Sequence, residues 1–149
     1  MKLDEIDWGK IPVVTKTGTD PAIEVTPDAA AYSLEVPAGK VWRVETARMS
    51  FVASGDAANR SMYMKIYDAG DQIMFLSVSG VVITAGLTKA QSWCTGSLEV
   101  TTGRQYGIHL PPMLMPEGWY LRVGVSNFDA VAAGDNAASL IAYVREAPA

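Results

Sequence analysis

Short runs of alternating side chains, each closed by Gly, Pro, Asp or Asn, recur through this chain, and no convincing helical stretch of ten residues interrupts them. A two-residue period puts every second side chain on one face of an extended strand, so each such run needs a sheet with one face buried. The cleanest is "GWYLRVGVS", with Trp119, Leu121, Val123 and Val125 on one face and Tyr120, Arg122 and Ser126 on the other. In "SMYMKIYD", Met62, Met64 and Ile66 alternate with Tyr63, Lys65 and Tyr67. In "KVWRVETARMSFVA", Trp42 and Val44 share one parity and Ala47, Met49 and Phe51 the other. That phase change near Glu45 and Thr46 predicts a bulge or a strand bending between two sheets. "QIMFLSV" is apolar on both parities, the pattern of a strand in mid-sheet or beneath a contact. "AYSLEV", "LTKAQSWCTGSLEVT", "RQYGIHL" and "SLIAYVRE" complete the series. The fold class expected is all-β: an antiparallel β-sandwich of eight to nine strands, a jelly roll, with an immunoglobulin-like sandwich as the alternative.

The first thirty residues differ. "IPVVTKTGTDPAIEVTPDAAA" holds Pro12, Pro21 and Pro27 among short β-branched pieces. Residues 1–30 are therefore expected to be extended, either as an arm that leaves the domain or as an edge strand of its own sheet, with residues 31–149 forming the sandwich. An arm would need apolar surface for Trp8, Ile11, Val13, Val14 and Ile23.

At 149 residues the chain suffices for one domain with one core. A net charge of −4 without a basic run argues against nucleic acid or an anionic membrane as partner. The acidic start "MKLDEIDWGK" has no apolar signal-peptide core. The longest uncharged run, Gln72 to Thr88, falls short of the roughly 20 apolar residues of a membrane helix. A single cysteine, Cys94, excludes an internal disulfide and fits folding in a reducing cytosol.

Signs of chemistry are sparse. The Gly39-Lys40 pair in "VPAGKVW" could end a phosphate-cradling loop, but Val41 follows it and Leu34 stands where the first glycine should be. It reads instead as a turn feeding a strand. A Cys nucleophile needs a base beside it, and the sequence does not place the sole histidine, His109, next to Cys94. Asp68 and Asp71 in "YDAGDQ" lack the further spaced acids of a calcium loop. No catalytic residue, metal or cofactor is expected, and the chain is read as a non-enzyme. Trp42, Trp93 and Trp119 could build a sugar-stacking platform, although large aromatics at alternating strand positions mostly belong to a core.

"LPPMLMPEGW" departs most from a loop's usual polarity, presenting Met113, Leu114 and Met115 between prolines that oppose ladder pairing. Such a segment must be covered, by its own sandwich or by a partner that adaptable methionines fit. The candidate partner-binding residues are Trp8, Ile11, Val13, Val14, Met113, Leu114 and Met115.

The series "VPAGKVWRV", "ANRSMYMKIYDAGDQ", "LPPMLMPEGWYLRV" and "GDNAASLIAYVREA" resembles the jelly-roll decoration (cement) proteins of tailed bacteriophages, over most of the chain from residue 32 onward. Gly39, Asn59, Arg60, Pro111, Gly118 and Trp119 match as structural positions, none of them an active site. The resemblance implies a structural virion protein that is assembled in the bacterial host cytoplasm and binds the exterior of the expanded capsid. Its partners would be the major capsid protein and further copies of itself, as a dimer or trimer, without nucleic acid or membrane. The alternative is a tail or fibre module that binds host-surface carbohydrate.

Overall fold

The computed structural model describes residues 5–18, 31–55, 59–79, 82–95, 105–127 and 136–149. Their elements are all strands: β1 (Val13–Gly18), β2 (Ala31–Glu35), β3 (Lys40–Val52), β4 (Arg60–Tyr67), β5 (Ile73–Val78), β6 (Thr88–Cys94), β7 (Gln105–His109), β8 (Leu114–Met115), β9 (Tyr120–Asn127) and β10 (Asn136–Pro148). One sheet runs β1-β10-β3-β6-β7 with β8 beside β3, and the other runs β2-β9-β4-β5. Without β7 and β8, the remaining strands in chain order read first-eighth-third-sixth and second-seventh-fourth-fifth. That interleaving is the winding of a jelly roll.

Two features exceed the expectation of eight or nine antiparallel strands. The short β8 pairs Leu114 with Arg43 and Met115 with Trp42, so the proline-flanked segment joins a ladder after all. Prolines at 111, 112 and 116 fall outside the two pairing residues, and the missing amides therefore cost the ladder nothing. In addition, β7 lies parallel to β6.

The core follows the alternation. Met62, Met64, Ile66, Leu121, Val123 and Val125 from one sheet face Trp42, Val44, Ala47, Met49, Phe51 and Trp93 from the other, all of them buried. Burial of each large side chain contributes about 1.5–3 kcal/mol before chain entropy is subtracted. The phase change in β3 is a bulge: Thr46 pairs with Tyr143 and Val44 with Val144, leaving Glu45 as the extra residue. It lets Trp42 and Val44 point inward before it, and Ala47, Met49 and Phe51 after it. It also divides the far edge of β3, which pairs with β8 before Glu45 and with β6 after it.

"VPAGK" is a turn. Lys40 N–H donates to the Pro37 carbonyl at 3.1 Å, and Gly39 has the positive φ (70°) that the third position requires. Pro116–Trp119 repeats the arrangement with Gly118 at φ 76°, and Glu117 Oε2 accepts from Gly39 N–H at 2.6 Å, linking the two turns.

"QIMFLSV" is not in mid-sheet. β5 forms the outer edge of the second sheet, and only Phe75 of its apolar side chains packs on the core. At the corresponding edge of the first sheet lies β1, paired with β10 from Val13–Arg145 to Gly18–Leu140. Residues 13–18 are thus an edge strand of their own domain, while residues 1–4 and 19–30 lie outside the described parts.

Candidate functional site

Outward-facing residues at one end of the first sheet form a row across four strands: Val13, Arg145, Arg43 and Leu114 are successive register partners on β1, β10, β3 and β8. The preceding segment is held against this row. Arg145 Nη1 donates to the carbonyl oxygens of Gly9 (3.4 Å) and Ile11, so the main chain of residues 9–11 is fixed by one guanidinium. Upstream, "DWGK" turns tightly, with Lys10 N–H donating to the Asp7 carbonyl at 3.0 Å. The turn delivers Trp8 to the Pro-Met segment, where Trp8, Arg43, Pro112, Met113 and Leu114 line a groove of about 400 Å³. That size lies within the usual range for ligand sites.

The electrostatics of the groove depend on the bulge. Glu45, turned out of the regular pleat, lies 2.8 Å from Arg145 Nε and 3.4 Å from Arg43 Nε, and its second oxygen accepts from Thr95 Oγ1 at 3.0 Å. One carboxylate is shared by two guanidiniums, which leaves a net positive charge at an otherwise apolar groove. Among the described residues, the buried Arg43 Nε has no hydrogen-bond acceptor, Glu45 standing only at ion-pair distance. A partner offering an apolar side chain beside a carboxylate would match both features.

The sequence candidates divide accordingly. Trp8, Met113 and Leu114 meet in the groove. Ile11 is half-buried and contributes its carbonyl to Arg145. Val13 is 46% exposed on β1, whereas Val14 turns inward against the core. Met115 must be corrected: it is fully buried with Trp42 and offers a partner no surface. Arg43, Arg145 and Glu45 were missed, although the phase change at Glu45 was the available signal.

The other candidates find ordinary uses. Trp42 and Trp93 are buried and Trp119 packs on the core, so none supplies an open platform. Tyr67 and Tyr120 do form an aromatic pair on the outer face of the second sheet, but their rings stack on each other at 4.6 Å rather than lying side by side for a sugar. Burial, followed by the 2.8 Å hydrogen bond to Asp71, pushes the Tyr120 phenol up to about 12. Asp68 accepts from the backbone amides of Gly70 and Gln72 and so shapes the β4–β5 turn. Cys94 and His109, which the sequence could not juxtapose, are register partners on β6 and β7. Cys94 is a free, half-buried thiol.

No family model matches this chain, and no curated protein matches it. Among solved structures, one titled "Structure of infectious bursal disease virus Gx strain" is similar over 91% of this chain at 10% identity, with a TM-score of 0.38. This chain spans about a third (34%) of the length of that one.

Proposed function

We propose that this protein is a structural virion protein of a tailed bacteriophage: it binds the outer surface of the expanded capsid, bridges neighbouring major capsid subunits, and makes or breaks no covalent bond. The observation that carries this reading is the groove of Trp8, Pro112, Met113 and Leu114 beside Arg43, in which two sequence segments separated by most of the chain create one apolar, cationic docking surface. The sequence resemblance to decoration proteins supplies the capsid as the partner.

Cohesion would come from number. Each contact need bury only a standard area of roughly 1,600 Å² in total, because many identical bridging molecules act together on a shell. The test is co-sedimentation of the protein with expanded capsids and with unexpanded precursors. Binding to expanded capsids, lost on Leu114→Asp, is the expected result. Binding to neither particle would overturn the reading, as would binding that Leu114→Asp leaves unchanged.

A further inference from the structure

The free edge of β5 lacks the charge and proline protections common on exposed strands, and its one irregularity is a bulge at the Met74 end. Natural edges are blunted by Lys, Pro or an inward-pointing charge, because an unpaired row of N–H and C=O groups is a template for another strand. No charged residue and no proline occurs between Asp71 and Lys89, and among the described residues no strand pairs with the outer side of β5. The side chains on its outer face are large and apolar. Met74, Leu76 and Val78 are 49%, 52% and 48% exposed, and the register shift between Ile66 and Tyr67 turns Ile73 outward as well, at 51%.

The backbone directions are fixed by the neighbour. Ser79 N–H donates to the Met62 carbonyl at 2.7 Å, so Ser79 and Met62 form a hydrogen-bonded pair across β5 and β4. Antiparallel ladders alternate. Phe75 and Ser77 therefore also direct their backbone groups towards β4, and Leu76 and Val78 direct theirs away from it, towards the open edge.

We propose that two copies of this chain pair through β5, antiparallel about a two-fold axis at Leu76, joining their four-stranded sheets into one continuous sheet. Residues facing each other across an antiparallel pair must share a parity, which places the axis on a residue rather than between two. An axis at Leu76 sets Leu76 opposite its counterpart and Met74 opposite Val78. The outward-directed backbone groups of Leu76 then meet their own symmetry mates. The bulge lies at the Met74 end and leaves Phe75–Val78 regular. A second copy suits the edge better than an unrelated partner because the patch is uncharged and self-complementary: an isologous contact places no like charges together. Strand addition supplies main-chain hydrogen bonds and the apolar row supplies burial. The inference goes beyond the capsid reading and does not rest on it, although a dimer would carry two grooves and so make a single particle bivalent.

The test uses the free protein, without capsids. Sedimentation velocity from about 1 to 100 µM, the range over which a Kd of about 10 µM takes a chain from largely monomer to largely dimer, should approach twice the 15.9 kDa mass at the upper end. Over the same range the amides of Leu76 and Val78 should become protected from hydrogen exchange. Leu76→Lys places two ammonium groups at the axis and should hold the mass at 15.9 kDa at every concentration while leaving the melting temperature of the monomer unchanged. A monomer throughout or a trimer would overturn the proposal, as would a dimer in which both amides exchange freely. If Leu76→Lys does not fold, wild-type mass and exchange decide alone.

Discussion

The strands β1 and β5 are both outer edges of the same sandwich, and they are finished in opposite ways. β1 is fastened by polar groups: Lys16 reaches Glu146 on β10 at 2.8 Å, Glu146 also accepts from the Trp42 indole at 2.7 Å, and the Lys16 ammonium lies over the Trp42 ring. A lysine on an edge discourages a further strand, and here the same lysine holds the edge to its neighbour. β5 is fastened from the inside, by Phe75 on the core and by Ser77, whose hydroxyl accepts from Trp93 Nε1 at 3.2 Å, while its outer side remains apolar. Attachment and openness are thus separable properties of an edge. One strand closes its sheet and the other leaves it extendable.

Trp93→Ala should have the largest effect, about 3–5 kcal/mol of stability, since it empties a fully buried site and removes the hydroxyl's partner on β5. Urea unfolding would measure the loss, and hydrogen exchange should show β5 loosening more than β1. Equal loosening would mean that β5 is not fastened through Trp93.

Gly118→Ala comes next, because φ of 76° disfavours any side chain and the new Cβ would lie 3.3 Å from Ala69 Cβ. About 1–2 kcal/mol is expected from the left-handed conformation, measured by the same denaturation.

Glu146→Gln should cost about 1 kcal/mol and act on the other edge, speeding amide exchange in β1 while sparing β5. The Lys16 and Trp42 hydrogen bonds hold the Glu146 carboxyl below its ordinary value of 4.5. Its contribution is therefore complete above that pH and lost as pH falls through the lower folded-state value. Acidification should loosen β1 in the wild type, and Glu146→Gln should abolish that pH dependence.

Least change is expected at Tyr120. With its phenol raised to about 12, the folded chain keeps a proton that the unfolded chain loses above pH 10, so stability falls with rising pH between those values. Tyr120→Phe should flatten alkaline unfolding curves and leave neutral stability within about 0.5–1.5 kcal/mol, the contribution of one hydrogen bond.

Strand pattern was the legible part of this molecule. The alternation in β9 reports burial directly, with Leu121 and Val123 dry and Tyr120 and Arg122 partly wet, whereas β4 follows its pattern only from Met64 onward, because Ser61 and Tyr63 are buried as well. The bulge at Glu45 was visible as a shift of parity. What escaped is what depends on neighbours. Nothing in "QIMFLSV" distinguishes a mid-sheet strand from an edge with apolar side chains on both faces, since the difference lies in whether another strand stands beside it. The groove was half-visible: Trp8 and Met113 stood out as apolar residues in unexpected places, but their meeting depends on Arg145 capturing two carbonyls upstream. Arg43 and Arg145 are ordinary outward positions until Glu45 brings them together.

The extra residue in β3 also makes the chain unequally sensitive to two kinds of genetic change. Replacing Glu45 by another side chain alters one cluster of charges. Deleting its codon would close the bulge and leave Ala47, Met49 and Phe51 inward, whereas a codon inserted beside it would turn all three outward, so selection here should resist added length more strictly than altered chemistry.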